Sequence, residues 1–222
     1  MAIVQALNNR NNRRILSNLN NRRIRKIRNT PKTPNTLKTP KTLKNKKPMS
    51  HPLEIFSYCP VCGSSHFEIH NFKSKKCQDC GFTYYGNPSA ANVALIVNDA
   101  DELLVVRRKK DPAKGTLDLP GGFTDMDETG EEGVIREVKE ETGLTVNRAV
   151  YLFSLPNLYR YSGMDINTLD MFFRCEVADT SHVSAMDDAE DAQWIPLNEL
   201  RADDFGLRSV RQGVQLFLQT KR

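Results

Sequence analysis

The sequence predicts an α/β sandwich, with helices on both faces of a mixed sheet, preceded by a small module built on cysteine pairs. Three observations carry that expectation. Short apolar runs of strand composition recur from Ala90 onward. Two segments of helical period, about Gly130 to Thr142 and Gly206 to Thr220, interleave with them. Four of the five cysteines fall in two Cys-x-x-Cys pairs ahead of that pattern. A chain of 222 residues has room for one medium domain and one small module, here 90–220 and 57–86, with 1–48 outside both.

The first segment, 1–48, holds 14 of the 32 Lys and Arg and neither Asp nor Glu. It is Asn/Arg-rich from Asn8 to Asn29, then repeats Thr-Pro-Lys-like units to Lys47. So little apolar surface cannot offset the entropy of ordering, so disorder is expected. Three readings stay open: a basic nucleic-acid-binding tail, an organellar presequence, or an upstream stretch translated from a start placed too early, with Met49 the initiator. Ser17 is the one serine before Met49, which counts against a presequence. The overall charge of +5 therefore misleads, because the remainder has 18 basic against 27 acidic residues, a net charge of −9. An acidic globular part lacks the charge of a nucleic-acid binder, which leaves such contact to the tail. No apolar run approaches the ~18 residues that span a bilayer, and no signal-peptide core is present. The expectation is a cytoplasmic protein without membrane contact.

Cys59-Pro60-Val61-Cys62-Gly63 and Cys77-Gln78-Asp79-Cys80-Gly81 form two knuckles with 14 residues between the pairs. That gap is one short of the usual Cys₄ spacing. The glycine after each pair permits the turn that aims backbone N–H groups at a thiolate. Four thiolates suit tetrahedral Zn²⁺, and a closed Cys₄ shell has no open position for catalysis, so the metal would be structural. The competing reading is a redox dithiol pair. The module resembles a zinc ribbon. Cys175, in an apolar strand, reads as a buried small hydrophobe.

The main domain begins with Val93-Ala94-Leu95-Ile96-Val97 and Glu102 to Arg107, separated by Asn98-Asp99-Ala100-Asp101, a hairpin signal. A Gly- and Asp-rich loop, Gly115 to Asp127, leads into the first helix. Thr129-Gly130-Glu131-Glu132 fits a capping box, and Gly143 stands where a left-handed residue would end the helix. At ~100° per residue, Glu137, Glu140 and Glu141 share one ~100° sector, and Ile135, Val138 and Thr142 occupy roughly the opposite side. Three carboxylates on one face repel each other, a cost that a hard cation such as Mg²⁺ or Mn²⁺ resolves. Taken alone, the face could equally be solvated surface. Tyr151 to Leu155, Leu169 to Val177 and Gln193-Trp194-Ile195 read as further strands before the closing amphipathic helix.

A wider pattern decides the role of that helix. Gly122, five residues, Glu128, seven residues, then Arg136-Glu137-Val138-Lys139-Glu140-Glu141-Thr142-Gly143-Leu144 resembles the Nudix box, G-x5-E-x7-R-E-U-x-E-E-x-G-U, at all nine fixed positions. Leu119-Pro120-Gly121-Gly122 ahead of it is similar to the same family. The resemblance covers about residues 90–220. It implies the Nudix α/β/α sandwich, with Glu137, Glu140 and Glu141 as ligands of Mg²⁺ or Mn²⁺ and Glu141 bridging the ions. Arg136 would pair with Glu128, and Gly121 and Gly122 would let backbone approach metal and phosphates. The implied reaction is attack of metal-activated water on a phosphorus of an X-linked nucleoside diphosphate. A general base would come from a later loop, among Asp187, Asp188 and Glu190, which otherwise read as an acidic surface turn.

Phe123, Tyr159 and Tyr161 are candidates to stack on a base, against the commoner reading of rim aromatics. Arg107, Arg108, Lys109 and Lys110 follow a strand and could reach phosphates, against the commoner reading of a solvated strand end. Some Nudix proteins with a zinc ribbon are NADH pyrophosphatases, which share an S-Q-P-W-P-F-P-x-S array after the box. Ser154-Leu155-Pro156-Asn157 is a poor substitute for it, which disfavours NADH or NAD-capped RNA as substrate while leaving both open. A small-molecule nucleotide substrate is expected, ADP-ribose or a related sugar nucleotide, with NADH and nucleoside triphosphates as alternatives. A second class is a ligand-sensing or nucleic-acid-binding Nudix regulator. The intact box argues against it, and the chain after Trp194 is too short for a winged helix. Monomer and homodimer both stay open.

Overall fold

The computed structural model describes residues 51–186 and 189–220. The readings of residues 1–48, and the roles weighed for Asp187 and Asp188, lie outside the described residues. Among those described, no helix is long and apolar enough to cross a membrane.

The cysteine module is a three-stranded antiparallel sheet of β1 (Phe67–Asn71), β2 (Ser74–Cys77) and β3 (Thr83–Tyr85). The main domain has two further sheets. In one, β4 (Ser89–Leu95) runs parallel to β8 (Met164–Val177), which pairs antiparallel with β7 (Val146–Tyr161), so that sheet is mixed as expected. In the other, β5 (Glu102–Arg108) lies between β6 (Leu117–Asp118) and β9 (Ala189–Pro196), antiparallel to both.

Strand parity assigns the two helical layers. Val93, Leu95, Leu103, Val105 and Phe172 form one core with Val210, Val214 and Phe217 of the closing helix α2 (Arg208–Thr220). Their neighbours Ala94, Ile96, Leu104, Phe173 and Cys175 form a second core with Val134 and Val138 of α1 (Gly130–Thr142). Because successive side chains of a strand point to opposite faces, the alternation is the sandwich. Val134 and Val138 are fully buried, each worth roughly 1.5–3 kcal/mol relative to exposure.

Several local expectations need correction. The turn Asn98–Asp101 forms, with Asn98 Oδ1 accepting the N–H groups of Ala100 and Glu102. The hairpin survives only beside it, at the Val97–Leu103 bridge, because β4 and β5 then diverge into different sheets. The helix rests on Val134, Val138 and Thr142 rather than on Ile135, which is exposed. β7 and β8 are much longer than Tyr151–Leu155 and Leu169–Val177. They continue to a two-residue turn where Ser162 (φ 48°) and Gly163 (φ 79°) take the left-handed conformations of a type I′ hairpin. That outer arm carries polar residues on both sides, Arg160 and Asp165 among them at 2.8 Å, so no apolar run announces it. β9 begins at Ala189, ahead of Gln193, and α2 begins at Arg208 instead of Gly206. Leu117–Asp118, expected within a loop, pairs as β6.

Candidate active site

The helix α1 is held at both ends as its sequence requires. Thr129 Oγ1 accepts from the Glu132 N–H, and Glu132 Oε2 accepts from the Thr129 N–H at 2.8 Å. Gly143 (φ 73°) ends the helix with its N–H on Lys139 O. The Leu119-Pro120-Gly121-Gly122 segment runs along β4: Ala94 N–H donates to Pro120 O and Asn92 N–H to Gly122 O. Gly121, at φ 151°, passes so close to β4 that a Cβ would stand 2.1 Å from Asn92 O. A Cβ on Gly122 would lie 2.6 Å from Glu137 Oε1. A side chain at position 121 would strike the β4 backbone, whereas one at 122 would meet the movable end of Glu137, and both glycines bring bare backbone to the carboxylates.

Arg136 organises the acidic face. Its Nε and Nη2 grip Glu128 bidentately at 2.9 and 3.0 Å, Nη1 reaches Glu137 Oε1 and Glu140 Oε2 at 2.9 and 3.0 Å, and Nη2 also donates to Phe123 O. The Arg136–Glu128 pair ties the loop to the helix, and those hydrogen bonds hold the Glu128 carboxyl below the ordinary glutamate range. Burial pushes the Glu137 carboxyl up, and the Arg136 guanidinium beside it only partly offsets that. Glu141 Oε2 accepts the Gly121 N–H at 3.1 Å.

Glu137, Glu140, Glu141, Gly121 and Gly122 open into one cavity of about 450 Å³. Phe123, Tyr159 and Tyr161 line it as well, with the Phe123 and Tyr159 rings edge to face at 5.7 Å. Glu190 lies exposed on β9 and is not among the lining residues. Arg108 is no solvated strand end. Its guanidinium sits half-buried in the cavity wall, with Nη1 on Asp118 Oδ2 at 2.5 Å, Nε on Pro112 O and Nη2 on Tyr159 Oη.

Sequence reasoning missed the polar floor of this cavity. Asn92, Asp118, Asn157, Thr168 and Asp170 are all buried and all line it. Thr168 and Ser209 hydroxyls both donate to Asp170. A signal existed in the parity of β8, where Thr168 and Asp170 occupy the face that Phe172 buries. Asn92 Nδ2 donates to Thr124 Oγ1 and fills the space that a side chain at Gly133 of α1 would take.

The four thiols of the small module converge. Cys59, Cys62, Cys77 and Cys80 Sγ atoms lie within 4.8 Å of one another, with Cys59–Cys80 at 3.7 Å and Cys62–Cys77 at 3.6 Å. Four sulfurs at 2.3 Å from a tetrahedral zinc would be ~3.8 Å apart, so the spacing fits that ion. Gly63 and Gly81 make the expected left-handed turns, at φ 74° and 76°. N–H groups of Cys80 and Asp79, together with Cys62, draw the Cys77 thiol down to about 6. Cys175 is buried in the α1-side core, and burial pushes its thiol up to about 12.

Known proteins share these features. A Nudix hydrolase from Nitrosomonas europaea superposes with a TM-score of 0.58 at 20% identity, over 74% of this chain and 92% of that one, a likeness of fold. An ADP-ribose pyrophosphatase of Methanocaldococcus jannaschii is 36% identical over 121 residues, 54% of this chain and 68% of the relative. The NAD-capped RNA hydrolase NudC of Pseudomonas entomophila is 29% identical over 161 residues, 72% of this chain and 55% of the relative. The chain thus spans about half the length of such RNA hydrolases. The NUDIX domain model matches residues 87–213, more than half of the chain, and with the box carried on α1 this makes the protein a member of the Nudix hydrolase family.

Proposed function

We propose that this Nudix hydrolase cuts the phosphoanhydride bond of a nucleoside diphosphate linked to a second group, with ADP-ribose or a related sugar nucleotide as substrate. The observation that carries the reading is that Glu137, Glu140 and Glu141 open, with the Gly121–Gly122 backbone, into one cavity large enough for a nucleotide. The name of the 36%-identical relative supports the choice of ADP-ribose.

An all-oxygen donor set on Glu137, Glu140 and Glu141 fits Mg²⁺ or Mn²⁺, and the absent Cβ of Gly122 leaves the space that the Glu137 carboxylate occupies. Such an ion supplies charge neutralisation of the diphosphate and lowers the pKa of bound water. The chain does the positioning. Gly121 N–H orients Glu141, Arg136 anchors Glu128 and sets the rotamers of Glu137 and Glu140, and bare glycine backbone leaves room for phosphate oxygens. Cys59, Cys62, Cys77 and Cys80 would hold a structural Zn²⁺ in a 57–86 ribbon ahead of a 90–220 hydrolase domain. Of the three carboxylates weighed as the base, Glu190 stands outside the cavity lining, and Asn or Gln replacement of Asp187, Asp188 and Glu190 in turn tests each through a fall in kcat with KM little changed.

The test is Mg²⁺-dependent phosphate release from a nucleotide panel, coupled to alkaline phosphatase. ADP-ribose should yield AMP and ribose 5-phosphate, with water oxygen in only one product, and chelation should abolish turnover. Release of pyrophosphate from nucleoside triphosphates with ADP-ribose untouched would overturn the substrate while leaving the metal chemistry standing.

A further inference from the structure

The cavity carries opposite charge at its two ends. At one stand Glu137, Glu140 and Glu141 with the Gly121 N–H, and at the other Arg107, Lys109 and Lys110 line it beside the Arg108–Asp118 pair. The chain sets the distance between these ends. β5 and β6 are antiparallel, with Arg107 opposite Leu117 and the Arg108 N–H donating to Thr116 O, so the residues after Arg107 run away from Gly121. Gly121 comes four residues after Leu117, ~13 Å at the rise of a strand. The Arg107 guanidinium is drawn farther the same way, because its Nη1 donates to Gly115 O at 2.7 Å. Between the ends stands the aromatic pair, Phe123 following Gly122 and Tyr159 Oη accepting from Arg108. Lys109 and Lys110 are exposed, so the cationic end opens to solvent, and Asp111 is the carboxylate that the same turn adds to the lining.

From this layout we infer that Arg107, Lys109 and Lys110 form a second anion subsite, which binds a phosphate group of the substrate other than the diphosphate that is cut. A diphosphate is two tetrahedra sharing one oxygen, too short to lie on the carboxylate-held ions and reach the far cations as well. A third phosphate is repelled by the acidic end and attracted by a turn on which three cations outnumber Asp111. Lysine and arginine both suit it, the one as a mobile point charge and the other as a planar fork. The inference rests on the cavity being the hydrolase site and deepens that reading. ADP-ribose leaves the cationic end unanswered, so the preferred substrate bears an added phosphate. Its source is either a phosphate monoester on a ribose or the next phosphodiester of a nucleic-acid strand entering by its 5′ end.

Calorimetry on the full chain with Mg²⁺ compares AMP with adenosine 2′,5′-bisphosphate, adenosine 3′,5′-bisphosphate and the dinucleotide pApA, and ribose 5-phosphate with ribose 1,5-bisphosphate. In the wild type at least one ligand with the added phosphate should bind about tenfold tighter than its parent, the worth of one charge-assisted contact. Combined Arg107→Gln, Lys109→Gln and Lys110→Gln should shrink that advantage to within about threefold. A gain for a bisphosphate assigns the subsite to a monoester, and a gain for pApA alone assigns it to a strand. No gain for any ligand, or a gain undiminished in the variant, overturns the inference. Should the variant fail to fold, salt decides on the wild type: the advantage must fall between about 50 and 300 mM NaCl, and one indifferent to salt overturns the assignment. Binding is read without turnover, so the two readings fail separately. Hydrolysis of ADP-ribose with no gain from any added phosphate sinks this inference alone, whereas a gain without hydrolysis of any diphosphate sinks the hydrolase reading and leaves the subsite.

Discussion

The cysteine cluster and the glutamate helix are both built to present metal-ligating atoms, yet they do so in opposite ways. The four thiols already lie at the spacing a tetrahedral ion asks for, positioned by two short knuckles whose glycines turn the backbone. Glu137 and Glu140 are instead drawn to Arg136, and Glu141 to the Gly121 N–H. Among the described residues, the thiols are the group whose ligand atoms gather within 4.8 Å. A closed site suits a metal that holds a module together, whereas an open face bordering a cavity has room for substrate oxygens in the coordination shell. Local turns suffice for the first. A helix, a loop and a neighbouring strand must all be in place for the second.

The most severe break should come from Glu141→Gln. It keeps the side-chain shape and removes a charge, so turnover should fall about a hundredfold or more while the thermal midpoint stays near wild type. Steady-state kinetics within about threefold of wild type would remove Glu141 from the machinery. Cys77→Ser should act on the other site alone. About one zinc per chain, measured by metal analysis, should be lost, and residues 57–86 should become protease-sensitive before the hydrolase domain does. Zinc absent from the wild-type protein, with four freely titrating thiols, would return the cluster to the redox reading.

A third variant probes how the helix is seated. Gly133→Ala places a methyl 2.2 Å from Asn92 Nδ2, an overpacking that should cost about 1–3 kcal/mol in denaturant unfolding. Adding Asn92→Ala should recover part of it, and strictly additive losses would mean that the two do not share a space. The smallest effect concerns pH. Arg136 depresses the Glu128 carboxyl below the ordinary value of 4.5, so its contribution is present above that value and is lost as pH falls through the depressed range. The melting difference between wild type and Glu128→Gln should therefore be full at neutral pH and shrink below about pH 4.5. A difference that persists undiminished in acid would assign the effect to packing.

Periodic and local signals were readable before any coordinates. The α1 boundaries, its capping box and its Gly143 stop depend on residues within a few positions of one another, and they appear where expected. The box is a fixed pattern along one helix and its approach loop, and the Arg136–Glu128 pairing that its family resemblance implies is present. The cysteine knuckles are local for the same reason. What the sequence could not decide involves partners far apart in the chain. Whether Val97 to Glu102 closes a long hairpin depends on β4 finding β8, some seventy residues later, with Ala94 opposite Phe173. Ile135 and Val134 are equally apolar neighbours, and only the angle at which α1 meets the sheet buries Val134 and exposes Ile135. Asn157, Asp118 and Asp170 stand on three different strands, and nothing in the order of residues says that these strands end at one cavity. Local hydrogen bonds and helical period act within a few residues, so a single chain records them. The floor of a cavity is made by strand register and sheet twist acting between segments, and only the folded molecule brings those segments together.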